Sequence, residues 1–261
     1  MLIDTHAHYD DNAFNGDREE LLKQLFETGI ETVVNIGANI ESSKNTIELT
    51  RKYDHIYGAI GVHPSDTDQL DETSFEWLKE QVSLPKIVAI GEIGLDYYWD
   101  TPERELQKYW FKKQLYLAID LEMHVVIHSR DAAEDTLVIM KEAKEYAGKQ
   151  GKKFSGVIHC FSYGVEIAKE YVKMGFYLGI GGVVTFKNGK KLKEVVEQIP
   201  LEFLVLETDC PYLSPEPNRG KRNSSLNLVY VVDEIASQKG IEKEEVIRVT
   251  NENAKKLYCI K

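Results

Sequence analysis

The chain has 261 residues, of which 43% are hydrophobic and 29% are charged, and a formal net charge of −11. This length fits one large α/β domain or two small ones, and the composition is that of a globular protein. No run of about 18 apolar residues is present, so nothing is expected to span a membrane. The net charge argues against electrostatic coating of long nucleic acid, but it is compatible with a phosphate-bearing substrate held through bound metal ions.

The N-terminus and the cysteines give a prediction for the cellular compartment. No basic segment followed by an apolar run opens the chain, so we expect no signal peptide. The three cysteines, Cys160, Cys210 and Cys259, form neither a disulfide framework nor a Cys-x-x-Cys site. A reduced, cytoplasmic protein is therefore expected, with no membrane association and no obligatory protein partner evident.

Short β-rich runs alternate with helical patterns along the whole chain. The predicted strands are 2–8, 32–37, 56–62, 87–93, 124–128, 154–160, 176–181 and 203–209. The predicted helices include Arg18–Thr28 closed by Gly29, a helix capped by Ser42 or Ser43, Glu103–Leu121 and a final Lys243–Leu257.

Eight βα units in about 260 residues match the size of a single (β/α)8 TIM barrel. The fold class predicted for residues 1–261 is therefore α/β, with one barrel domain and a C-terminal helix. A doubly wound open sheet is the alternative architecture. It is disfavoured because no Gly-x-Gly-x-x-Gly follows the first strand.

The most informative local pattern is His6-Ala7-His8 at the end of the first predicted strand. Successive side chains of a strand point to opposite faces, so His6 and His8 share one face about 7 Å apart. Two neutral imidazoles side by side are ready metal ligands. Because such pairs also occur on ordinary surfaces, the rest of the chain has to supply the context.

Ligand-type residues recur at the ends of the predicted strands. They are His6, His8, His63, Glu92, His128, His159 and Asp209. In a parallel barrel these ends meet at one mouth, where barrel enzymes have their active sites. Each such group needs a partner once it is desolvated, and a cluster of four His, one Glu and one Asp could hold two divalent ions with the Glu between them. The alternative, a hydrogen-bonded core histidine, is reasonable for any single residue but not for all of them together.

Other residues of the same types have no predicted role in this site. His124 opens the fifth strand and belongs to the opposite end of the barrel, and His55 precedes the third strand. Both are interpreted as structural. Strand alternation turns Cys160 and Cys210 away from the mouth, so we expect them to be small buried hydrophobic residues.

Several segments together resemble the TatD family of metal-dependent deoxyribonucleases. The segments are residues 6–8, 91–96, 127–130, 157–161, 185–188, 207–213 and Asn253. They follow in order through essentially the whole chain, which makes the resemblance specific. It implies a TIM-barrel hydrolase of the amidohydrolase-like superfamily.

The resemblance also implies an assignment of ligands. His6, His8, Glu92 and Asp209 would bind one metal, and Glu92, His128 and His159 would bind the second. His63 is similar to a position that the family places near the substrate phosphate or a further metal. The chain departs from the family at Ser224-Ser225-Leu226-Asn227, where an acidic residue and a proline usually follow Asn223. This departure puts the loop geometry after strand eight, and with it the substrate preference, in question.

The chemistry hypothesised for this site is phosphodiester hydrolysis by a water activated between two metal ions. Asp209 would be the general base and Glu92 the carboxylate shared by the ions. Cations of the mouth loops are candidates for holding substrate phosphate, although a solvated charged surface is equally consistent with them; they are Arg130, Lys187, Arg219 and Arg222. Glu207, on the same face as Asp209, would support a metal ligand.

The metal and the role of three aromatic residues stay open. Mixed imidazole and carboxylate ligands favour Zn²⁺, Mn²⁺, Co²⁺, Ni²⁺ or Fe²⁺ over an all-oxygen Mg²⁺ site, whereas the resemblance implies that Mg²⁺ or Mn²⁺ supports activity. Tyr97, Tyr98 and Trp99 follow strand four. They either stack nucleotide bases or pack the top of the barrel, and packing is the favoured interpretation.

Three functions compete at this stage. The first, implied by the resemblance, is a deoxyribonuclease that acts as an exonuclease and favours single strands. Its substrate is DNA, with RNA as the alternative. The second is an ester or amide hydrolase, such as a D-aminoacyl-tRNA deacylase, which would need a small apolar recess at the rim of the site. The third is a binding protein without catalysis, against which the complete set of metal ligands argues.

Overall fold

A computed structural model describes residues 1–260 and contains one parallel sheet of eight strands paired in chain order. The strands are β1 Leu2–Ala7, β2 Ile30–Ile36, β3 Ile56–Ile60, β4 Ile87–Asp96, β5 His124–Arg130, β6 Gly156–Ile158, β7 Tyr177–Ile180 and β8 Leu204–Leu206. The last strand returns to the first through a parallel bridge between Ala7 and Cys210, and the N–H of His8 donates to the carbonyl of Cys210 at 2.8 Å. The sheet is therefore a nearly closed barrel, which confirms the predicted TIM-barrel fold class.

Nine α-helices accompany the strands of the described residues. They are α1 Arg18–Glu27, α2 Ile40–Lys52, α3 Glu72–Gln81, α4 Arg104–Asp120, α5 Ala133–Lys149, α6 Val165–Lys173, α7 Lys190–Gln198, α8 Leu228–Lys239 and α9 Lys243–Tyr258. The predicted helix bounds at residues 28, 103 and 121 are capping residues in the structure. No helix within residues 1–260 combines the length and the apolar content that a bilayer span requires.

The prediction that Ser42 or Ser43 caps α2 was wrong. Asn39 is the cap, because its side-chain oxygen accepts a hydrogen bond from the N–H of Ser42 at 2.9 Å. Ser42 lies inside the helix and instead donates its hydroxyl to Asp10 Oδ2 at 2.6 Å. Asparagine is as favourable a cap as serine, and its position three residues earlier begins the helix there.

Strand alternation separates the inside of the barrel from the layer under the helices. Asn35 of β2 faces α2, where its amide donates to Thr46 Oγ1 at 2.8 Å, so Val34 and Ile36 face the interior. There they form a buried cluster with small apolar residues of the other strands and with the end of the chain; its further members are Ala59, Ala89, Val126, Val157, Val205, Leu257, Tyr258 and Ile260. The interior is thus filled with apolar side chains, and the polar residues gather at the carboxyl ends of the strands.

Candidate metal centre

The two histidines of the first strand point at each other and at two carboxylates. His6 Nε2 lies 3.2 Å from His8 Nε2, 3.4 Å from Glu92 Oε2 and 3.6 Å from Asp209 Oδ1. His8 Nε2 lies 3.3 Å from the same oxygen of Asp209. Donor atoms from the end of β1, from β4 and from the segment after β8 therefore lie close to the two imidazoles, and His6, His8 and Asp209 offer ligand atoms within 4.8 Å of one another.

A second group of imidazoles faces the other oxygen of Glu92. His128 Nδ1 and His159 Nε2 each lie 2.8 Å from Glu92 Oε1, and His63 Nε2 lies 3.7 Å from it. Since Oε2 faces His6 and His8, one buried carboxylate lies between two sets of nitrogen donors. Each oxygen of this carboxylate is thus available to a cation held by one of the two sets.

Hydrogen bonds hold two of these rings with one nitrogen directed into the cluster. His8 Nδ1 lies 2.9 Å from the carbonyl of Ile36, which accepts only, so Nδ1 carries a proton and Nε2 is the nitrogen that faces the carboxylates. His128 Nε2 lies 3.0 Å from Asp96 Oδ2, which leaves Nδ1 to face Glu92. Such outer partners fix the tautomer and orientation of metal-ligating histidines.

Asp96 had no predicted role in the site. Strand alternation could have revealed one, because β4 continues to Asp96 and this residue, four positions after Glu92, lies on the same face of the strand. The prediction ended this strand at Ile93, so Asp96 was placed in a loop where parity does not apply.

The charges of the cluster call for a bound cation. Burial disfavours an ionised Glu92, but the neighbouring His159 and His63 and the hydrogen bond from His128 outweigh it and hold its pKa well below the usual value. Burial likewise disfavours a charged His8, yet Asp209 and Glu92 raise the pKa of that imidazole to about 9. Two buried carboxylates thus attract positive charge to this volume, which a metal ion would supply as well as a proton does.

The donor set fits a divalent metal in both chemistry and spacing. Bonds of about 2.1 Å to a tetrahedral ion place its ligand atoms about 3.4 Å apart. Among His6, His8, Glu92 and Asp209, the five donor-atom distances that involve a histidine nitrogen are 3.2 to 3.8 Å. Imidazole nitrogen mixed with carboxylate oxygen suits transition metals such as zinc and manganese.

Glu207 lies beneath both imidazole groups. Its Oε1 accepts the N–H of Cys160 at 2.5 Å and lies 3.7 Å from His159 Nδ1, which is beyond hydrogen-bonding distance. His159 stacks on His6 with ring centroids 3.9 Å apart, and Glu207 has a ligand atom within 4.8 Å of one on each of them. Burial raises the pKa of Glu207 to about 8. Glu207 was predicted to support a metal ligand. It lies next to His159 but forms no direct hydrogen bond with it.

A cleft of about 820 Å³ opens above the donor atoms. The wall of the cleft formed by the segments that follow β1, β2 and β3 carries four carboxylates: Asp10, Asp11, Glu41 and Asp66. Within residues 1–260 none of these four forms an ion pair with Lys or Arg. The wall from the loops after β4 and β5 contributes Trp99 and Arg130. The two sides of the mouth therefore differ in charge.

His63 also lines this cleft, and its tautomer can be read from its neighbours. The backbone N–H of Ser65 donates to His63 Nδ1 at 3.2 Å, so the proton of the neutral ring is on Nε2. Burial and the nearby His128 lower the pKa of His63 to about 3, which keeps the ring neutral. His63 thus presents an N–H donor beside Glu92.

Of the four cations proposed to hold phosphate, only Arg130 lines the cleft. Arg222 instead donates to both carboxylate oxygens of Asp17, at 2.8 and 2.5 Å, and to the carbonyl of Ala13. The guanidinium of Arg219 covers the ring of Phe186, with 4.2 Å to the centroid. Lys187 is exposed on the loop after β7 and does not line the cleft. The structure does not bring these three side chains to the donor cluster, because two of them have other partners and Lys187 faces solvent.

The aromatic residues after β4 divide between packing and exposure. Tyr97 packs into the structure and donates its hydroxyl to Asp135 at 2.6 Å, as the packing interpretation predicts. Tyr98 and Trp99 are 54% and 63% exposed at the rim. For these two residues the packing interpretation was wrong, since their rings face solvent and each other.

The segment that departs from the family pattern has its own network. Ser225 donates its hydroxyl to Asp4 Oδ2 at 2.6 Å, and its N–H donates to the hydroxyl of Tyr9 at 2.9 Å. Asp4 also accepts the N–H and the hydroxyl of Thr208, the residue before Asp209. A serine at this position therefore ties the loop after β8 to β1 and to the segment that positions Asp209.

Three of the four residues that were given no role in the site lie where they were predicted to lie, and Cys160 does not. His124 contacts Ser155 and Cys259 at the start of β5, and His55 contacts the carbonyl of Glu31, so both lie away from the cluster as predicted. Cys210 is buried, also as predicted. Cys160 lines a small recess beside Glu207 and Asp209 instead of turning away. Strand β6 ends at Ile158, so alternation no longer governs residue 160, which has a left-handed φ of 44°.

A barrel with such a donor cluster at its mouth defines the class of metal-dependent hydrolases. Residues 3–259 match the sequence model of the family described as TatD related DNase, and the chain belongs to this family. It is 43% identical over 260 residues to the metal-dependent hydrolase YabD of Bacillus subtilis, with 100% of each chain covered. It is 32% identical over 264 residues to the metal-dependent hydrolase YcfH of Escherichia coli, covering 100% of this chain and 96% of that one.

A solved structure supports the same assignment. The crystal structure of YjjV, a TatD homologue from Escherichia coli, superposes with a TM-score of 0.92 at 27% identity, covering 100% of this chain and 98% of that one. The agreement therefore includes the whole barrel as well as the family sequence.

Proposed function

We propose that the protein hydrolyses phosphodiester bonds of single-stranded DNA, starting from a strand end. The observation that supports it most directly is the position of Glu92, with one oxygen toward His6 and His8 and the other toward His128 and His159. Divalent ions held by these residues and Asp209 would supply an activated water and neutralise charge on a phosphoryl group.

The residues around the donor cluster have distinct tasks in this proposal. Asp209 lines the cleft, and its N–H donates to the carbonyl of His6 at 2.9 Å, which fixes its backbone at the end of the barrel. Asp209 accepts the proton of the attacking water as general base. His63 donates from Nε2 to a phosphoryl oxygen, and Asp96 keeps His128 in its orientation.

The charge of the cleft supports action at a strand end. A polyanion that crossed the whole mouth would pass the wall formed by Asp10, Asp11, Glu41 and Asp66, which has no cation to offset repulsion. At physiological salt charges interact over about 8 Å, so phosphates against this wall are disfavoured. A strand that enters from the side of Arg130 and ends at the donor cluster avoids it.

An ester hydrolase with an acyl substrate is the second candidate, and one observation favours it. A recess of about 20 Å³ lies beside Asp209 and is mainly apolar; its lining includes Cys160, Phe161, Gly182, Val183 and Leu213. Its volume is close to that of one water-sized sphere, so it accepts at most a methyl-sized group. A small acyl chain such as that of a D-alanyl ester would fit this description.

The test compares the two substrates on the same protein. Metal-stripped protein is supplied with Mn²⁺, Mg²⁺ or Zn²⁺ and mixed with end-labelled single-stranded DNA or with D-aminoacyl-tRNA, with Asp209→Ala in parallel. Metal-dependent shortening of the DNA from one end, lost in Asp209→Ala, is the expected result. Release of the amino acid without DNA cleavage would replace the nuclease proposal by the second candidate.

A further inference from the structure

Tyr98, Trp99 and Arg130 form a compact group on one rim of the cleft. The guanidinium carbon of Arg130 lies 3.8 Å from the ring centroid of Tyr98 and 6.0 Å from that of Trp99. The two aromatic rings meet edge to face, with 5.0 Å between centroids. A large exposed aromatic area and a guanidinium thus lie side by side at the mouth.

The group is anchored to the donor cluster. Asp96 Oδ1 accepts the N–H groups of Tyr98 and Trp99 at 3.0 and 3.1 Å, while Asp96 Oδ2 contacts His128 Nε2. Arg130 pairs with Asp96 in the register of β4 and β5, and its carbonyl accepts the N–H of Tyr97 at 2.9 Å. One carboxylate therefore positions both a predicted metal ligand and the aromatic loop.

The exposed parts of the group have no other task in the described residues. Arg130 forms no side-chain hydrogen bond or ion pair within residues 1–260, so its N–H donors are available to a ligand. The rings of Tyr98 and Trp99 are more than half exposed, unlike Tyr97, which is pinned by Asp135. Exposed aromatic faces beside free guanidinium donors suit a flat ring that is linked to a phosphate.

We propose that Tyr98, Trp99 and Arg130 are a subsite for one nucleotide adjoining the phosphate that is cleaved. Its base stacks on the exposed ring of Trp99, Tyr98 supports the guanidinium of Arg130, and Arg130 donates to the phosphate of that nucleotide. The subsite lies across the mouth from the acidic wall, so it is the only side of the cleft among the described residues that offers a cation to a strand. This inference rests on the proposed nuclease function and adds the residues that select the substrate.

Stacking on an aromatic residue predicts a specific kinetic pattern. Trp99→Ala should raise KM for a single-stranded oligothymidylate about tenfold and leave kcat within about twofold, because stacking contributes to binding and not to the chemical step. Trp99→Phe should restore most of the loss. An abasic oligodeoxynucleotide of the same length has the phosphates but no base to stack, so its hydrolysis should be unchanged in both variants. Tyr109→Ala removes an exposed aromatic ring of α4 and serves as the control.

A binding measurement keeps this test separate from the nuclease proposal. The chain has three tryptophans, and the other two, Trp77 and Trp110, are partly or fully buried, so ligand stacking should quench mainly Trp99. Oligothymidylate added to the Mn²⁺-loaded protein should quench fluorescence in wild type and not in Trp99→Phe. Absence of quenching, or an equal loss on both substrates in Trp99→Ala, would overturn the subsite. Failure to cleave DNA with quenching intact would overturn the nuclease activity alone.

Discussion

His128 and Asp96 form a partly buried pair in which His128 Nε2 lies 3.0 Å from Asp96 Oδ2. The two residues occupy neighbouring strands, β5 and β4, near the carboxyl end of the barrel. The pair leaves His128 Nδ1 at 2.8 Å from Glu92 Oε1. Asp96, which is not itself a predicted metal ligand, thus determines which nitrogen of His128 faces the cluster.

Asp96→Asn should weaken binding of a metal ion by about 10- to 100-fold, because the amide cannot accept the proton of His128 Nε2 in the same way. The oxygen that anchors Tyr98 and Trp99 is retained in asparagine, so the fold should be unchanged. Titration calorimetry with Mn²⁺ measures the affinity. Asp100→Asn, an exposed position paired with Arg104, is the control, and an equal effect there would contradict the account.

Arg130 and Arg222 should respond differently to substitution by alanine. Arg130→Ala should raise KM for single-stranded DNA severalfold, because Arg130 is the cation that lines the cleft. Arg222→Ala should leave KM within about twofold and lower the melting temperature slightly, because its guanidinium binds Asp17 at the exposed surface. Steady-state kinetics and thermal unfolding of both variants measure this. A larger rise in KM for Arg222→Ala would show that the loop reaches the substrate.

The serine that departs from the family pattern should contribute to stability. Ser225→Ala removes the hydroxyl that donates to buried Asp4 and should lower the free energy of unfolding by about 2 kcal/mol. Ser224→Ala is the matched control, because Ser224 forms no side-chain hydrogen bond in the described residues and should be near neutral. Urea unfolding measures both. Equal effects at the two positions would show that the network with Asp4 is not the cause.

Gly179 of β7 makes room for the carboxylate of Glu207. A Cβ at residue 179 would lie 2.0 Å from Glu207 Oε2, and Glu207 is held by the N–H of Cys160. Gly179→Ala should therefore destabilise the fold by about 1–3 kcal/mol through overpacking. Gly148→Ala in α5, where a Cβ meets nothing within 4 Å, should instead stabilise by about 0.5–1 kcal/mol. Denaturant unfolding of the pair separates crowding from the general effect of alanine.

The fold and the donor cluster could be predicted from the sequence because both depend on strand periodicity. His6 and His8 share a face by alternation, and strand ends in a parallel barrel meet at one mouth. Those two rules placed His6 and His8 together with Glu92, which the structure does as well. No contact from a distant part of the chain was needed for this step.

The rest depends on contacts between residues far apart in sequence. Arg222 lies in the loop after strand eight, where barrels often bind phosphate. In the structure it instead pairs with Asp17, 205 positions earlier in the chain. Ser225 reaches Asp4 across 221 positions. Cys160 escapes alternation because its strand ends early. Such pairings are set by how loops fold back on the barrel, which local patterns do not encode.

The most direct test of the central claim is the number of metal ions bound per chain. Metal-stripped protein is titrated with Mn²⁺ by calorimetry, and the bound metal is counted by elemental analysis, for wild type, Glu92→Gln and the wall variant Glu41→Gln. Two ions in wild type and in Glu41→Gln, with at most one retained in Glu92→Gln, is the expected result, because glutamine cannot offer a carboxylate oxygen to each group. A single ion in wild type, or two ions bound with unchanged affinity in Glu92→Gln, would contradict a centre shared through Glu92.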